Sequence, residues 1–193
     1  MTSKTAIWGL TGGIASGKSM VGYFFEQAGI PVLDADLISR ELSGKKGKAY
    51  PAIIRRFGTN DRAKLRKLVF SDPIARKDLE AILHPLIRAE TASRTANLSK
   101  PLAIYEAALL VETGGYKELA GLIVVQAPLV LRRQRLMDRN GFTAELADSI
   151  LAAQLSDLER RKVANVIIEN AGSLEDLRQQ TLSVIYSTLF ARS

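Results

Sequence analysis

Five short apolar runs punctuate the chain, at residues 6–9, 30–33, 102–105, 122–125 and 166–168. They are nearly continuous in hydrophobicity rather than alternating, the pattern of parallel strands covered by helices on both faces. Between the runs, apolar positions recur at helical spacing. Val21, Phe24, Phe25 and Ala28 fall on one face, and Gly29 followed by Pro31 stops that helix. Pro128 is expected as the first helical residue of a helix running through 129–139. Ser156 with Glu159 has the spacing of a capping box, and Ser173 ahead of Leu174 marks another start. Strands alternating with helices predict a doubly wound α/β domain, three layers (α/β/α) around a five-stranded parallel sheet.

One interval breaks the alternation. From residue 37 to residue 100 the pattern is helical and contains no convincing strand. Asp72 and Pro73 supply an N-cap followed by proline at the first helical position, and Pro85 after His84 is expected to interrupt or bend the long helix that follows. Lys45, Lys46, Lys48, Arg55, Arg56, Arg62, Lys64, Arg66 and Lys67 concentrate positive charge there. The interval is either a substrate-holding helical insertion or a solvated decoration. The expected organisation is one domain over 1–193. Its core segments are 1–36, 101–127 and 164–193, with the insertion at 37–100 and a small helical lid at 128–163.

Composition narrows what such a domain can do. A chain of 193 residues buries roughly 70% of its unfolded surface, enough for a core without disulfides or structural metal. There is no cysteine and a single histidine, which excludes thiolate metal sites and thiol catalysis and leaves a His-based zinc site short of ligands. Lys and Arg total 27 against 20 for Asp and Glu, a formal charge of +7. That surplus points to nucleic acid, a membrane surface or a phosphorylated substrate, or to nothing more than a basic surface. No stretch reaches the roughly 20 apolar residues of a membrane span, and the first apolar run is too short for a signal peptide. A cytoplasmic protein is expected, a monomer or weak homo-oligomer.

The strongest local pattern is Gly12-Gly13-Ile14-Ala15-Ser16-Gly17-Lys18-Ser19, which fits G-x-x-x-x-G-K-[ST] at every fixed position. It follows an expected strand and opens an expected helix, the context this phosphate loop requires. Its glycines let backbone N–H groups curl around phosphate oxygens, and the helix N-terminus adds partial positive charge. Lys18 is placed for the β- and γ-phosphates of ATP and the Ser19 hydroxyl for Mg²⁺.

The same loop serves GTPases, motors, helicases and small-molecule kinases. The chain is short for a motor or helicase, and it has no Asn-Lys-x-Asp guanine reader. The third strand ends in Tyr105-Glu106-Ala107 rather than in an apolar run plus Asp. A small kinase is favoured. Such an enzyme needs a carboxylate near the acceptor hydroxyl and arginines over the phosphates. Asp34 directly follows the second strand, and strand C-termini in a parallel sheet converge on one crevice, so Asp34 is placed to take the acceptor's proton. Asp36 is expected to cap the next helix. Arg132, Arg135 and Arg139 share a helical face, either as a lid clamp over ATP or as a solvated basic helix.

These pieces together resemble the dephospho-CoA kinase family, over residues 9–170. Asp34-Ala35-Asp36 with Ile38 and Arg40 is similar to the family's D-A-D-x-I-x-R element, and Leu83-His84-Pro85-Leu86-Ile87 to its L-H-P-x-I element. Leu109-Leu110-Val111-Glu112 resembles P-L-L-F-E, Arg135 and Arg139 its lid, and Gln154 with 164–170 its Q and A-D-x-V-I-x-N elements. The resemblance implies ATP-dependent phosphorylation of the ribose 3′-hydroxyl of dephospho-CoA to coenzyme A. It implies that Gly13, Ile14, Ala15, Ser16, Gly17, Lys18 and Ser19 hold ATP and Mg²⁺, and that Asp34 is the base. Arg135 and Arg139 would reach the ATP, Asn170 would lie near its adenine end, and Asp36, Arg40 and His84 would join Asp34 in holding dephospho-CoA. His84 has a structural alternative as a buried imidazole. The chain departs from the family at Met20, at Ala108 for proline, at Glu106 and Asn165 for aspartates, and in a shortened 57–62.

Two rivals stand beside this reading: a kinase for a nucleoside monophosphate or other small hydroxyl, and an ATP-regulated nucleic-acid binder. Tyr50, Phe57 and Phe70 are too few aromatics in the insertion for a base-stacking platform, so neither nucleic acid nor membrane is expected as a partner. Lys18→Ala is expected to cripple phosphoryl transfer from ATP, because the β/γ charge loses its partner; near-normal turnover would overturn the phosphate-loop assignment.

Overall fold

The computed structural model describes residues 5–189; the expected core segments at 1–4 and 190–193 lie outside the described residues. The sheet has five strands, β1 (Ala6–Gly12), β2 (Val32–Asp34), β3 (Leu102–Glu106), β4 (Gly121–Gln126) and β5 (Val166–Glu169), in the order β2-β3-β1-β4-β5. β1 pairs in parallel with β3 and β4, and β4 with β5. The expected sheet is present, with shifted ends. β1 runs on through Leu10, Thr11 and Gly12 because it is the central strand, paired with β3 as far as Leu10 and with β4 as far as Gly12.

Two compact units divide the chain: Met1–Leu33 with Ser99–Ser193, and Asp34–Leu98. In the first, helix α1 (Lys18–Gln27) buries Val21, Phe24 and Phe25 against one face of the sheet. Ala28, expected on that face, is exposed. The helix ends at Gln27, Ala28 is its C-cap, and Gly29 turns the chain away at φ 77°. Alternation along β4 sorts the two faces. Ile123 and Val125 join Phe24, Phe25, Trp8 and Leu10, whereas Leu122 and Val124 pack with Leu110, Tyr116 and Leu119 on the other side.

Beyond β4 come α6 (Leu129–Asn140), α7 (Ala144–Ala152) and α8 (Asp157–Val163), and after β5 α9 (Leu174–Val184) leads into a π-helical turn at Ile185–Leu189. Pro128 is extended at ψ 137° and serves as the N-cap of α6, so Leu129 and not Pro128 is the first helical residue. The Ser156–Glu159 capping box forms as expected, and Ser173 pairs with Asp176 in a second. The Ser156 hydroxyl and backbone N–H hold the Glu159 carboxyl below its ordinary range.

The second unit is wholly helical: α2 (Ala35–Ser43), α3 (Tyr50–Phe57), α4 (Arg62–Ser71) and α5 (Pro73–Ala96). Ile38, Leu42, Ala49, Ile53, Leu65 and Ala75 are its buried apolar residues among those described. Asp72 caps α5, accepting from the N–H groups of Ile74 and Ala75, with Pro73 first in the helix as expected. Pro85 does not interrupt α5, which continues for 24 residues. Proline has no N–H to give the ladder, yet 11 further residues to Ala96 continue the helix beyond it.

Phe25 is fully buried between α1 and the sheet. Phe25→Ala is expected to lower the unfolding free energy by about 3–5 kcal/mol, read from the midpoint of urea denaturation with the slope unchanged.

Candidate active site

The glycine-rich segment between β1 and α1 is a loop whose carbonyls are tied down from behind. Arg132 Nε donates to the Ile14 carbonyl at 2.8 Å, Arg135 Nη1 to that of Ala15 at 3.2 Å, and Asn170 Nδ2 to that of Ser16 at 2.8 Å. These anchors come from α6 and from the residue just after β5. With successive carbonyls drawn outwards, the loop wraps around a concavity of amides, a nest suited to an anion. Gly17 stands at φ 95°, and a β-carbon there would lie 2.1 Å from Asn170 Nδ2. Ala15 adopts φ 59° without being glycine, a conformation that persists only where surroundings enforce it. The Arg135 bond to its carbonyl is one such constraint.

Two amides of the loop are already engaged, Ile14 N–H by Gln154 Oε1 at 2.8 Å and Ser16 N–H by the Gly13 carbonyl at 3.1 Å. Gly17, Lys18 and Ser19 open α1, where a helix's first amides have no partner of its own and its dipole favours negative charge. Ser16 Oγ is buried, and among the described residues it has no hydrogen-bond partner. A polyphosphate fits this cradle on both counts, offering acceptors to the helix-opening amides and to the orphaned hydroxyl.

Lys18 Nζ contacts Glu106 Oε1 at 2.6 Å, and the Ser19 hydroxyl donates to the same oxygen at 3.1 Å. Glu106 is 4% exposed. The sequence marks it as the end of the third expected strand and as the residue standing where the family has an aspartate, though not as a catalytic residue. β3 lies directly beside β1, with Glu106 opposite Leu10, so the carboxylate emerges next to the loop. Its length is accommodated by Gly22, where a β-carbon would fall 2.3 Å from Glu106 Oε2. The carboxylate and the Ser19 hydroxyl are the oxygen donors here that suit a hard divalent cation.

The remaining expected residues are placed variously. Arg132, expected in an exposed or lid position, is 2% exposed and bonded to Asp157 and Gln154 as well as to Ile14. Arg139 is exposed, and among the described residues its side chain bonds to its neighbour Asn140. Asn170 lies against Ser16, Gly17 and Arg135. In the helical unit, the cap roles are reversed from expectation: Asp34 is the N-cap of α2, its Oδ1 accepting from the N–H groups of Asp36 and Leu37, and Asp36 sits exposed in the first turn. Arg40 is exposed. His84 is exposed too, which removes the buried-imidazole alternative, and it lines an open cavity of about 550 Å³ along α5 with Lys77, Glu80 and Arg88. Among the described residues, no helix is long and apolar enough to cross a membrane.

The family model for dephospho-CoA kinase matches residues 6–176. The chain belongs to the dephospho-CoA kinase family. It is 44% identical to the dephospho-CoA kinase of Xanthomonas euvesicatoria pv. vesicatoria, over 93% of this chain and 95% of that one. A Thermus thermophilus protein of known crystal structure superposes with a TM-score of 0.85 at 37% identity, covering 96% and 98% of the two chains. The dephospho-CoA kinase of Campylobacter jejuni superposes at 0.65 with 27% identity, covering 95% and 97%. Membership makes the chain an enzyme, a phosphotransferase of the last step of coenzyme A biosynthesis, on the P-loop kinase fold expected from its sequence.

Gly22→Ala is expected to push the Glu106 carboxylate off Lys18 and Ser19 and to lower turnover roughly tenfold, the scale of one charge-assisted hydrogen bond. Glu106→Asp in the same chain would recover part of that loss, since the shorter side chain vacates the space the methyl takes. Steady-state kinetics of the two single variants and the pair check this.

Proposed function

We propose that this dephospho-CoA kinase transfers the γ-phosphoryl of ATP to the ribose 3′-hydroxyl of dephospho-CoA, with Asp34 as the base and Lys18 as the partner of the β/γ charge. The observation that carries the reading is the loop itself: a tied-back backbone, helix-opening amides, and Lys18 and Ser19 converging on one buried carboxylate. The acceptor hydroxyl gives its proton to Asp34 as its oxygen bonds to the γ-phosphorus. The bond from that phosphorus to the β–γ bridging oxygen breaks, and ADP leaves with the electron pair.

Asp34 closes β2, a strand of the same sheet as β1, and in such sheets the C-terminal strand ends serve one site. One of its oxygens is spent on capping α2. Capping holds the carboxylate still and leaves Oδ2 for the acceptor. Mg²⁺ would be held by Ser19 with Glu106 nearby, and when bound it neutralises charge on the phosphate oxygens. Arg139, exposed at the end of α6, would come down on ATP. Dephospho-CoA is assigned to the helical unit, with Asp36, Arg40 and His84 in its reach and an exposed array of lysines and arginines to receive its phosphates. Both substrates are polyanionic nucleotides, which suits a cytoplasmic setting and accounts for the excess of basic residues.

The test is ADP release from MgATP with dephospho-CoA, run beside a panel of nucleoside monophosphates. Release with dephospho-CoA alone, and coenzyme A by mass, supports the reading; release with a monophosphate instead overturns the substrate. Asp34→Asn is expected to lower kcat by about 10²-fold or more while ATP affinity is kept. A variant that loses only affinity for dephospho-CoA would make Asp34 an orienting group and not the base.

A further inference from the structure

Arg132 differs from every other arginine of α6 in having all its donors directed inward. Besides the Nε bond to the Ile14 carbonyl, Nη1 reaches both carboxylate oxygens of Asp157 at 3.1 and 3.2 Å, and Nη2 reaches Gln154 Oε1 at 2.9 Å. That same Gln154 oxygen accepts the Ile14 N–H. Both backbone groups of a single loop residue are therefore held by one guanidinium–carboxamide pair supplied by the segment after β4. Burial pushes the Arg132 guanidinium below its ordinary range, Asp157 opposes that shift, and neighbouring Arg160 adds to it. A cation buried this thoroughly costs more than a surface one unless its partners are complete, and here they are the loop, a carboxylate and an amide oxygen. Arg160, also buried, extends the network to Glu112 at 2.7 Å and to the Leu155 carbonyl at 2.6 Å.

The space matters as much as the bonds. A β-carbon on Gly13 would stand 2.2 Å from Arg132 Nη2 and 2.6 Å from its Cζ. Gly13 lies inside the phosphate-loop motif but is not one of its fixed positions, so the motif does not require glycine there; the guanidinium does.

We infer that Arg132 is a positioning residue for the phosphates of ATP, acting through Ile14 with Gln154 as its relay, and that residue 13 is glycine to admit it. The pair fixes the rear edge of the anion nest. It withdraws the Ile14 amide from the ligand and leaves the triphosphate to the amides that open α1. The inference rests on the ATP reading above and adds to it the device that sets the loop's shape.

The test uses the full chain with Arg132→Lys, Gly13→Ala and the double variant. ATP affinity is measured by titration calorimetry and kinetics by varying each substrate. Lysine keeps the charge but cannot serve Ile14, Asp157 and Gln154 together. Each single variant should weaken ATP binding by about tenfold or more, with the KM for dephospho-CoA unmoved. The double variant should be no weaker than the weaker single, because the methyl at residue 13 no longer meets a guanidinium. Unchanged ATP affinity in folded single variants, or a fall in kcat with both KM values constant, would make Arg132 merely structural and overturn the inference. Strictly additive losses would overturn the link to Gly13. Should Arg132→Lys fail to fold, Gly13→Ala by itself decides: weakened ATP binding supports the inference and unchanged binding ends it. Failure of the unmodified chain to bind ATP would instead strike the functional reading, and is told apart by needing no variant.

Discussion

Backbone carbonyls that would otherwise crowd an anion must go somewhere, and in this protein they are pulled outwards by side chains from distant parts of the chain. Ile14, Ala15 and Ser16 give theirs to Arg132, Arg135 and Asn170. Once the carbonyls are committed, the geometry of the amides follows, since each peptide plane carries its N–H opposite its C=O. The left-handed Ala15 and Gly17 are part of the same arrangement. A loop free to relax would have no reason to keep a non-glycine residue there. The electrostatics of the site thus depend on buried polar contacts made at the back of the loop, away from the face that meets the ligand.

The sheet is what brings those contacts together. β1 runs down its middle and delivers the loop; β3 beside it delivers Glu106; β4 leads into α6 with Arg132 and Arg135; β5 ends just before Asn170. Parallel pairing places all these exits at one edge, so residues more than a hundred positions apart become neighbours. The two faces of the sheet are closed by separate apolar groups sorted by alternation along β4, and that rigid platform keeps the network in register. The helical unit has its own small core and its own ion pairs, among them Arg56 with Asp78 and Arg94 with Glu41, and it carries the exposed basic array.

Departures from the family pattern become intelligible at the level of packing. Glutamate stands at 106 where family members commonly have aspartate, and the additional methylene is received by Gly22 on the facing helix. The carboxylate still reaches Lys18 and Ser19 directly. Asn165 replaces another aspartate and turns its amide oxygen to the backbone N–H of Leu122 at 2.8 Å. There it serves to start β5 beside β4, a structural task that needs an acceptor and no charge. Nothing in the structure explains Met20, which is exposed.

Much of this protein can be read along the chain because its information is local. Strand runs covered on both faces, the capping box at Ser156, the helix start at Ser173, proline after Asp72, and the glycine-lysine-serine loop all declare themselves within a few residues, since propensity, capping and the phosphate nest are short-range matters. The family elements around Asp34 and His84 are contiguous for the same reason. What tertiary structure alone decided concerns residues whose meaning lies in a distant partner. Helical spacing groups Arg132, Arg135 and Arg139 on one face, yet only packing buries the first, lends the second to Ala15 and leaves the third exposed. Likewise Asp34 rather than Asp36 caps α2 because the end of β2 sets which carboxylate meets the open amides. Glu106 joins Lys18 because parallel register sets β3 beside β1, whose loop leads directly into Lys18 at the start of α1. Periodicity tells which way a side chain can point; what it meets there depends on contacts between elements far apart in the chain, and those exist only in the fold.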